Sequence, residues 1–226
     1  MFRKLFRPLA KKMFSLRTRQ YMEFDLLRMK TNIKNYGKVH QPSSNKLHFG
    51  CGNRRIPGWL NVDVTQSEFN VDLASRLPFP DAVFDVIASQ HVIEHLDLRE
   101  DLMPLLKELH RVARFGAELW LDCPDLGKLC RFYIEDKGKA LRENRYRIYP
   151  NAVREPFPYQ QEINDYVQYG GQHKNFFDFE LMEWVLKQCG FSSARHSNEK
   201  EFMERFPEFP FRDDDYHSLY VCARKE

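Results

Sequence analysis

Short apolar runs alternate with helix-spaced ones along most of this chain. "KLHFG" (46–50), "LNVDV" (60–64), "FNVDL" (69–73), "VFDVIAS" (83–89) and "AELWLDC" (117–123) are brief and bounded by turn residues, which predicts strands. "FDVIAS" is apolar nearly throughout, as in a strand covered on both faces. Between the last two runs, Leu98, Leu102, Leu105, Leu106, Leu109 and Val112 recur at the helical period, and Gly116 stands where that helix should stop. A second helix is predicted from Asp178 as N-cap, through Leu181, Trp184 and Val185, to Gly190. The tail "HSLYVCARK" (217–225) alternates Leu219, Val221 and Ala223 with Tyr220 and Cys222, as a strand at or near a sheet edge would. Strands alternating with helices predict an α/β fold with a mainly parallel sheet.

Two regions break the pattern. Residues 131–172 are rich in Tyr, Phe, Pro and Gln and lack a clear period. An aromatic insertion of that length is a candidate substrate cap, and equally a packing flap or an oligomer contact. Before the first strand, the polar stretch "QPSSNK" (41–46) marks a boundary. The expected organisation is an N-terminal extension, 1–45, and one domain, 46–226, with a substrate-cap insertion at 131–172. No internal repeat is visible.

Charge sharpens that division. Residues 1–46 hold 12 Lys/Arg against Glu23 and Asp25, whereas the remaining 180 hold 23 Lys/Arg against 30 Asp/Glu. A head of +10 precedes an acidic body. Within it, Phe2, Leu5, Phe6, Leu9 and Met13 fall at helical spacing among Arg3, Lys4, Arg7, Lys11 and Lys12, although Pro8 interrupts the helix. Residues 1–20 therefore suit peripheral contact with an anionic membrane, or a docking or oligomerisation arm. The acidic body disfavours nucleic acid as partner. Five scattered cysteines without a C-x-x-C pair point to a reducing compartment. The expected location is the cytoplasm, with the inner face of a membrane as the alternative.

Candidate chemistry gathers in "KLHFGCGNRRIPGWLNVDV" (46–64). Gly50, Cys51 and Gly52 follow a strand where the chain must turn, and glycines let backbone approach a ligand closely. Asp63 ends the next strand, where a carboxylate can accept both hydrogen bonds of a ribose diol. Asp72 and Leu73 follow a third strand, where an adenine edge could be read.

With these residues in view, the chain resembles the class I S-adenosylmethionine-dependent methyltransferases, in particular those with a type 11 methyltransferase domain. "LHFGCG" (47–52), "LPFPDAVFDVIASQHVIEHL" (77–96), "LKELHRVARFGAELWLDCPD" (106–125) and "GQHKNFFDFELMEWVLKQCGF" (171–191) carry the resemblance in order. It implies a Rossmann-like, doubly wound sheet with helices on both faces and an antiparallel C-terminal strand. It implies S-adenosyl-L-methionine as cofactor and S-adenosyl-L-homocysteine as product. Gly50, Cys51 and Gly52 would face the methionine part, Asp63 the ribose, and Asp72 and Leu73 the adenine. Ser89, Gln90 and His91 would lie beside the transferable methyl. His48 stands where the family usually has an acid, and is placed with the cofactor set. Only 13 residues separate Gly50 from Asp63, which cuts the first helix to a turn. The short form resembles methyltransferases of bacterial surface sugars and small metabolites, so a small-molecule or glycan intermediate is the expected acceptor.

One string invites a different reading. "HVIEH" (91–95) fits H-x-x-E-H, a zinc-peptidase pattern that needs both histidines on one helix face. Here the string follows directly from a strand, so no metal is expected. On the methyltransferase reading, His91 or His95 accepts a proton from the acceptor and Glu94 orients a histidine or caps backbone donors. His173, in "GGQHKNFF", is a further candidate catalytic residue from across the pocket. The remaining alternatives are a catalytically silent binding module that has kept the fold and a zinc hydrolase.

Overall fold

The computed structural model describes residues 13–152 and 156–226. Its centre is a seven-stranded sheet whose strands are β1 (Lys46–Phe49), β2 (Leu60–Asp63), β3 (Phe69–Asn70), β4 (Phe84–Gln90), β5 (Ala113–Pro124), β6 (Ser192–Ser197) and β7 (Ser218–Arg224). The spatial order is β3-β2-β1-β4-β5-β7-β6. The first five strands run parallel, while β7 lies antiparallel to both β5 and β6. The fold is thus Rossmann-like, with one antiparallel strand inserted near an edge. Strand order reverses between β1 and β4, and a crevice outside the carboxyl ends at such a reversal is where these sheets bind ligands.

Side chains along each strand divide between two apolar layers. Leu47, Phe49, Ile87, Leu119, Leu121 and Val221 join the larger core on one face. Val86, Ala88, Trp120, Tyr220 and Cys222 join a smaller, aromatic core on the other. This two-sided burial is why "FDVIAS" shows no alternation. The helix expected after β4 is α2 (Met103–Val112), and it passes straight into β5, so Gly116 (φ 79) lies inside the strand instead of after the helix. The later helix, α6 (Phe179–Gln188), starts where Asp178 accepts a hydrogen bond from the Leu181 amide.

Three regions held elements that were not legible as such. The extension forms α1 (Leu16–Asn35); the apolar spacing noted from Phe2 onward lies, up to residue 12, outside the described residues. The aperiodic region holds most of α3 (Leu126–Asp136), then α4 (Lys139–Ile148) and α5 (Gln160–Gln168). Arg142 and Arg145 both reach Glu162, at 3.0 and 2.9 Å, so α4 and α5 are clamped by charge. Finally, "SSARHS" forms edge strand β6, followed by the short α7 (Glu199–Arg205).

Candidate active site

The turn after β1 is shaped by what surrounds it. Gly50 has φ 67, and a Cβ there would stand 2.3 Å from Val92 Cγ2, so only glycine fits against the loop that leaves β4. Gly52 has φ 52, open space around its Cα, and an amide that donates to Asp63 Oδ2 at 2.8 Å. The other Asp63 oxygen accepts from the Val64 amide at 2.6 Å. The carboxylate at the end of β2 therefore pulls the glycine turn around itself, which fixes the turn with very few residues between. Cys51 is buried, and burial raises its thiol to about 11.

The other cofactor candidates are placed differently. His48 faces the aromatic core, with its ring edge on Phe209 at 5.1 Å and Nδ1 donating to Asn61 Oδ1 at 3.0 Å. Burial lowers it to about 4, so the ring is neutral. Asp72 accepts from Arg28 Nε at 3.1 Å, Asn32 Nδ2 at 2.7 Å and Ser75 Oγ at 3.0 Å, which binds α1 to the end of β3. Leu73 packs partly buried against the main core. Ser89 is 2 % exposed with an Oγ that has no hydrogen-bond partner among the described residues, and Gln90 closes β4 in register with Asp122.

Immediately beyond Gln90 the chain takes a left-handed step at His91 (φ 53) and then a single 3-10 turn, Ile93–His95. The step carries the His91 ring into a ring of acids. Nε2 lies 3.1 Å from Asp214 Oδ2 and 3.6 Å from Asp122 Oδ1, and Nδ1 lies 3.3 Å from Glu94 Oε1. Burial alone would lower the imidazole, but Asp122, Asp214 and Glu94 outweigh it and hold His91 at about 10. Arg212 Nε adds a second cation to Asp214 at 2.6 Å, and Tyr220 donates its hydroxyl to the same carboxylate at 2.6 Å. Asp122 is raised to about 6 by burial, with Asp214 adding to the rise and His91 opposing it.

His173 has the opposite character. Its Nδ1 lies 2.7 Å from the Tyr166 carbonyl, which can only accept, so Nδ1 carries the proton and Nε2 keeps its lone pair. Burial lowers its pKa, against the pull of Glu94, whose Oε1 lies 3.9 Å from Nε2. The His95 ring packs at 4.8 Å from that of His173, and Tyr169 stacks on His173 at 4.9 Å. The amides of Lys174 and Asn175 donate to the Glu94 carbonyl, at 2.8 and 3.3 Å, which brings this loop against the turn after β4.

These groups line a cavity of about 740 Å³. Its floor is His91, Glu94 and His95, and its roof comes from α4, α5 and the loop between them, with Arg145, Tyr149, Tyr166 and Tyr169; the loop before β7 adds Arg212, Asp214 and His217. Among the described residues, two groups of three ligand-type side chains lie at or beside this cavity, Glu94–His95–His173 and His91–Asp122–Asp214. The HVIEH string is divided between them, and its histidines do not share a helical face, which the peptidase arrangement requires.

Asp122, Arg212, Asp214 and His217 were not singled out by the sequence. "FRDDDYHS" (211–218), an acid-rich run directly before the last strand, was the available signal.

Residues 60–121 match the family model described as a methyltransferase domain, type 11. No curated protein matches the sequence. Among solved structures, a protein of Thermotoga maritima described as an SAM-dependent methyltransferase, possible histamine N-methyltransferase, is 17% identical, with 92% of this chain and 96% of that one covered and a TM-score of 0.47. An SAM-dependent methyltransferase of Methanosarcina mazei is 19% identical over 85% of this chain and 96% of its own, with a TM-score of 0.46. Phosphoethanolamine N-methyltransferase 2 of Haemonchus contortus, in complex with phosphomonomethylethanolamine and S-adenosylhomocysteine, is 14% identical over 88% of this chain, with a TM-score of 0.45. This chain spans 52% of the Haemonchus enzyme.

Proposed function

We propose that this chain, whose residues 60–121 match a type 11 methyltransferase domain, moves the methyl group of S-adenosyl-L-methionine to a hydroxyl or amine of a small molecule or glycan intermediate. The observation that carries the reading is the carboxyl edge of the sheet. There a glycine turn closed on Asp63 follows β1, and the turn after β4 opens into a cavity containing a histidine with a fixed lone pair.

The residues present fit the cofactor. Asp63 spends one backbone hydrogen bond per oxygen and is only partly buried, leaving lone pairs for a ribose diol. Gly52 offers open backbone beside it, and the unpartnered Ser89 hydroxyl lies at the end of β4. When bound, the cofactor supplies an electrophilic methyl on a sulfonium, so the protein's task is chiefly alignment and removal of one proton.

His173 is the best-placed base. His173 Nε2 would take the acceptor's proton as the methyl group leaves sulfur for the acceptor oxygen or nitrogen, with Nδ1–H kept on the Tyr166 carbonyl. His91 is assigned a positioning role: an imidazolium at neutral pH has no lone pair to offer, and it draws Glu94, Asp122 and Asp214 together around its ring. Tyr149, Tyr166 and Tyr169 give the acceptor aromatic walls.

Calorimetric titration of S-adenosyl-L-homocysteine into the purified chain tests the reading. Micromolar binding is expected; a folded protein that takes up none would overturn it and leave a fold without its cofactor.

A further inference from the structure

Helix α1 is built inside out. The residues it turns to the body are polar. Arg17 donates to the Gly170 carbonyl at 2.8 Å, Thr31 to the Val64 carbonyl at 3.3 Å, Asn35 to the Asn70 carbonyl at 3.0 Å, and Arg28 and Asn32 hold Asp72. Apart from half-buried Leu27, its apolar residues face out. Met22, Leu26, Met29 and Ile33 follow one another at steps of four and three, which is one side of a helix, and with the C-cap Tyr36 they are 49, 50, 49, 69 and 87% exposed. A soluble helix normally buries such a stripe, and a contiguous exposed one marks an interaction surface.

The place of the helix matters as much as its pattern. Val64 follows the carboxyl end of β2, Asn70 is the last residue of β3 and Asp72 lies just beyond it, and Gly170 adjoins Tyr169 of the cavity roof. Helix α1 therefore lies across the same edge of the sheet that carries the glycine turn and the cavity.

Charge decides what covers it. The stripe belongs to a 46-residue segment of net charge +10. Lys30 and Lys34 are exposed on the flank of the stripe and form no ion pair with another described residue. A second copy would bring two such segments together and repel, whereas an anionic lipid surface attracts one. No helix among the described residues is long and apolar enough to cross a membrane, so the geometry is that of a helix lying in the interface. We propose that α1 seats its outer stripe in the headgroup layer of an anionic membrane, so that the carboxyl edge of the sheet is held at the lipid surface. The inference stands on the helix and the charge of the segment that holds it, and does not depend on methyl transfer.

Flotation of the full chain with vesicles of phosphatidylglycerol and phosphatidylcholine, against vesicles of phosphatidylcholine alone, tests it. Binding is expected only to the anionic vesicles and should weaken as salt shortens the screening length. The double variant Leu26→Gln/Ile33→Gln should lower the vesicle-bound fraction at least about tenfold, since two exposed side chains no longer enter the apolar layer. Lys30→Glu/Lys34→Glu should weaken it in the same direction. Unchanged thermal melting of both variants verifies that the fold is intact, as expected for side chains that face outward. Failure of the wild-type chain to bind anionic vesicles overturns the proposal. So does a Leu26→Gln/Ile33→Gln variant that binds like wild type, which would place the lipid contact elsewhere. A wild-type dimer that the same variant abolishes, without vesicle binding, would assign the stripe to a second copy and overturn it too.

Discussion

His91 and His217 lie with ring centroids 5.8 Å apart, and their surroundings shift their pKa values in opposite directions. His217 is buried, and burial together with the charge on His91 lowers it to about 3, while three carboxylates raise His91 to about 10. Their contributions to stability therefore have opposite slopes. His217 takes up its proton more readily unfolded, so its contribution is lost as pH falls from about 6.5 toward 3. His91 binds its proton more tightly folded, so its contribution is complete below 6.5 and lost as pH rises toward about 10. His48, lowered to about 4 by burial, adds to the acid-side loss. Stability to urea should peak near pH 6.5 and decline on both sides, which denaturation midpoints across pH 4–10 will check. A plateau extending unchanged to pH 9 would show that His91 is not held as an imidazolium.

Asp214 binds two cations and the Tyr220 hydroxyl at once. Asp214→Asn leaves Arg212 and His91 with one carboxylate fewer in a buried setting, and should cost about 3–5 kcal/mol of stability. The His91 imidazole pKa, followed by NMR, should fall in the same variant. An unchanged value would mean that Asp122 and Glu94 suffice.

Asp63→Ala removes the acceptor around which the glycine turn closes. S-adenosyl-L-homocysteine affinity should drop by about 1.5–3 kcal/mol, the scale for hydrogen bonds to a charged group. Calorimetry on the folded variant decides it; unchanged affinity would take Asp63 out of the cofactor site.

Gly50→Ala places a methyl group against Val92 and forces φ 67 on a residue with a Cβ. A loss of about 1–3 kcal/mol is expected from overpacking and backbone strain together. Adding Val92→Ala should restore only the overpacking share. Full restoration in a melting experiment would show that the backbone conformation costs nothing here.

His173→Gln should slow methyl transfer by about 10²–10⁴ once an acceptor is supplied, the range for loss of a general base. Homocysteine-product affinity should stay nearly constant, because the change lies on the acceptor side. A parallel loss in both would give His173 a structural role.

The parts of this molecule that the sequence discloses are those with short continuous apolar runs or a periodic apolar face. Strands β1, β2, β4, β5 and β7 are largely buried on both faces, helices α2 and α6 bury one face, and their residues announce it. Strand β6 was hidden because an edge strand such as "SSARHS" buries almost nothing. Helix α1 was followed only as far as Met13, although Met22, Leu26, Met29 and Ile33 carry the helical period beyond it. The paired short helices α4 and α5 were hidden because a charge clamp on Glu162 leaves no periodic trace.

The site divides in the same way. Gly50, Gly52 and Asp63 sit 13 residues apart and could be read as a unit. Asp122 and Asp214 meet only because β7 folds back antiparallel on β5, and no local pattern records that. Left-handed His91 was equally invisible: the helix face implied by HVIEH does not survive a φ of 53 at its first residue.

The seam between the turn after β4 and the loop bearing His173 runs chiefly through main-chain oxygens: the Glu94 carbonyl receives the amides of Lys174 and Asn175, and the Leu96 carbonyl receives the Asn175 side-chain amide. A carbonyl is encoded by every codon, so exchange of the Glu94 or Lys174 side chain leaves the main-chain donors and acceptors in place, and exchange of Asn175 gives up only the bond to Leu96. Only proline at 174 or 175 strikes a main-chain donor from the seam. The two walls of the pocket can therefore drift in sequence, and so in the acceptors they admit, while their alignment is inherited unchanged.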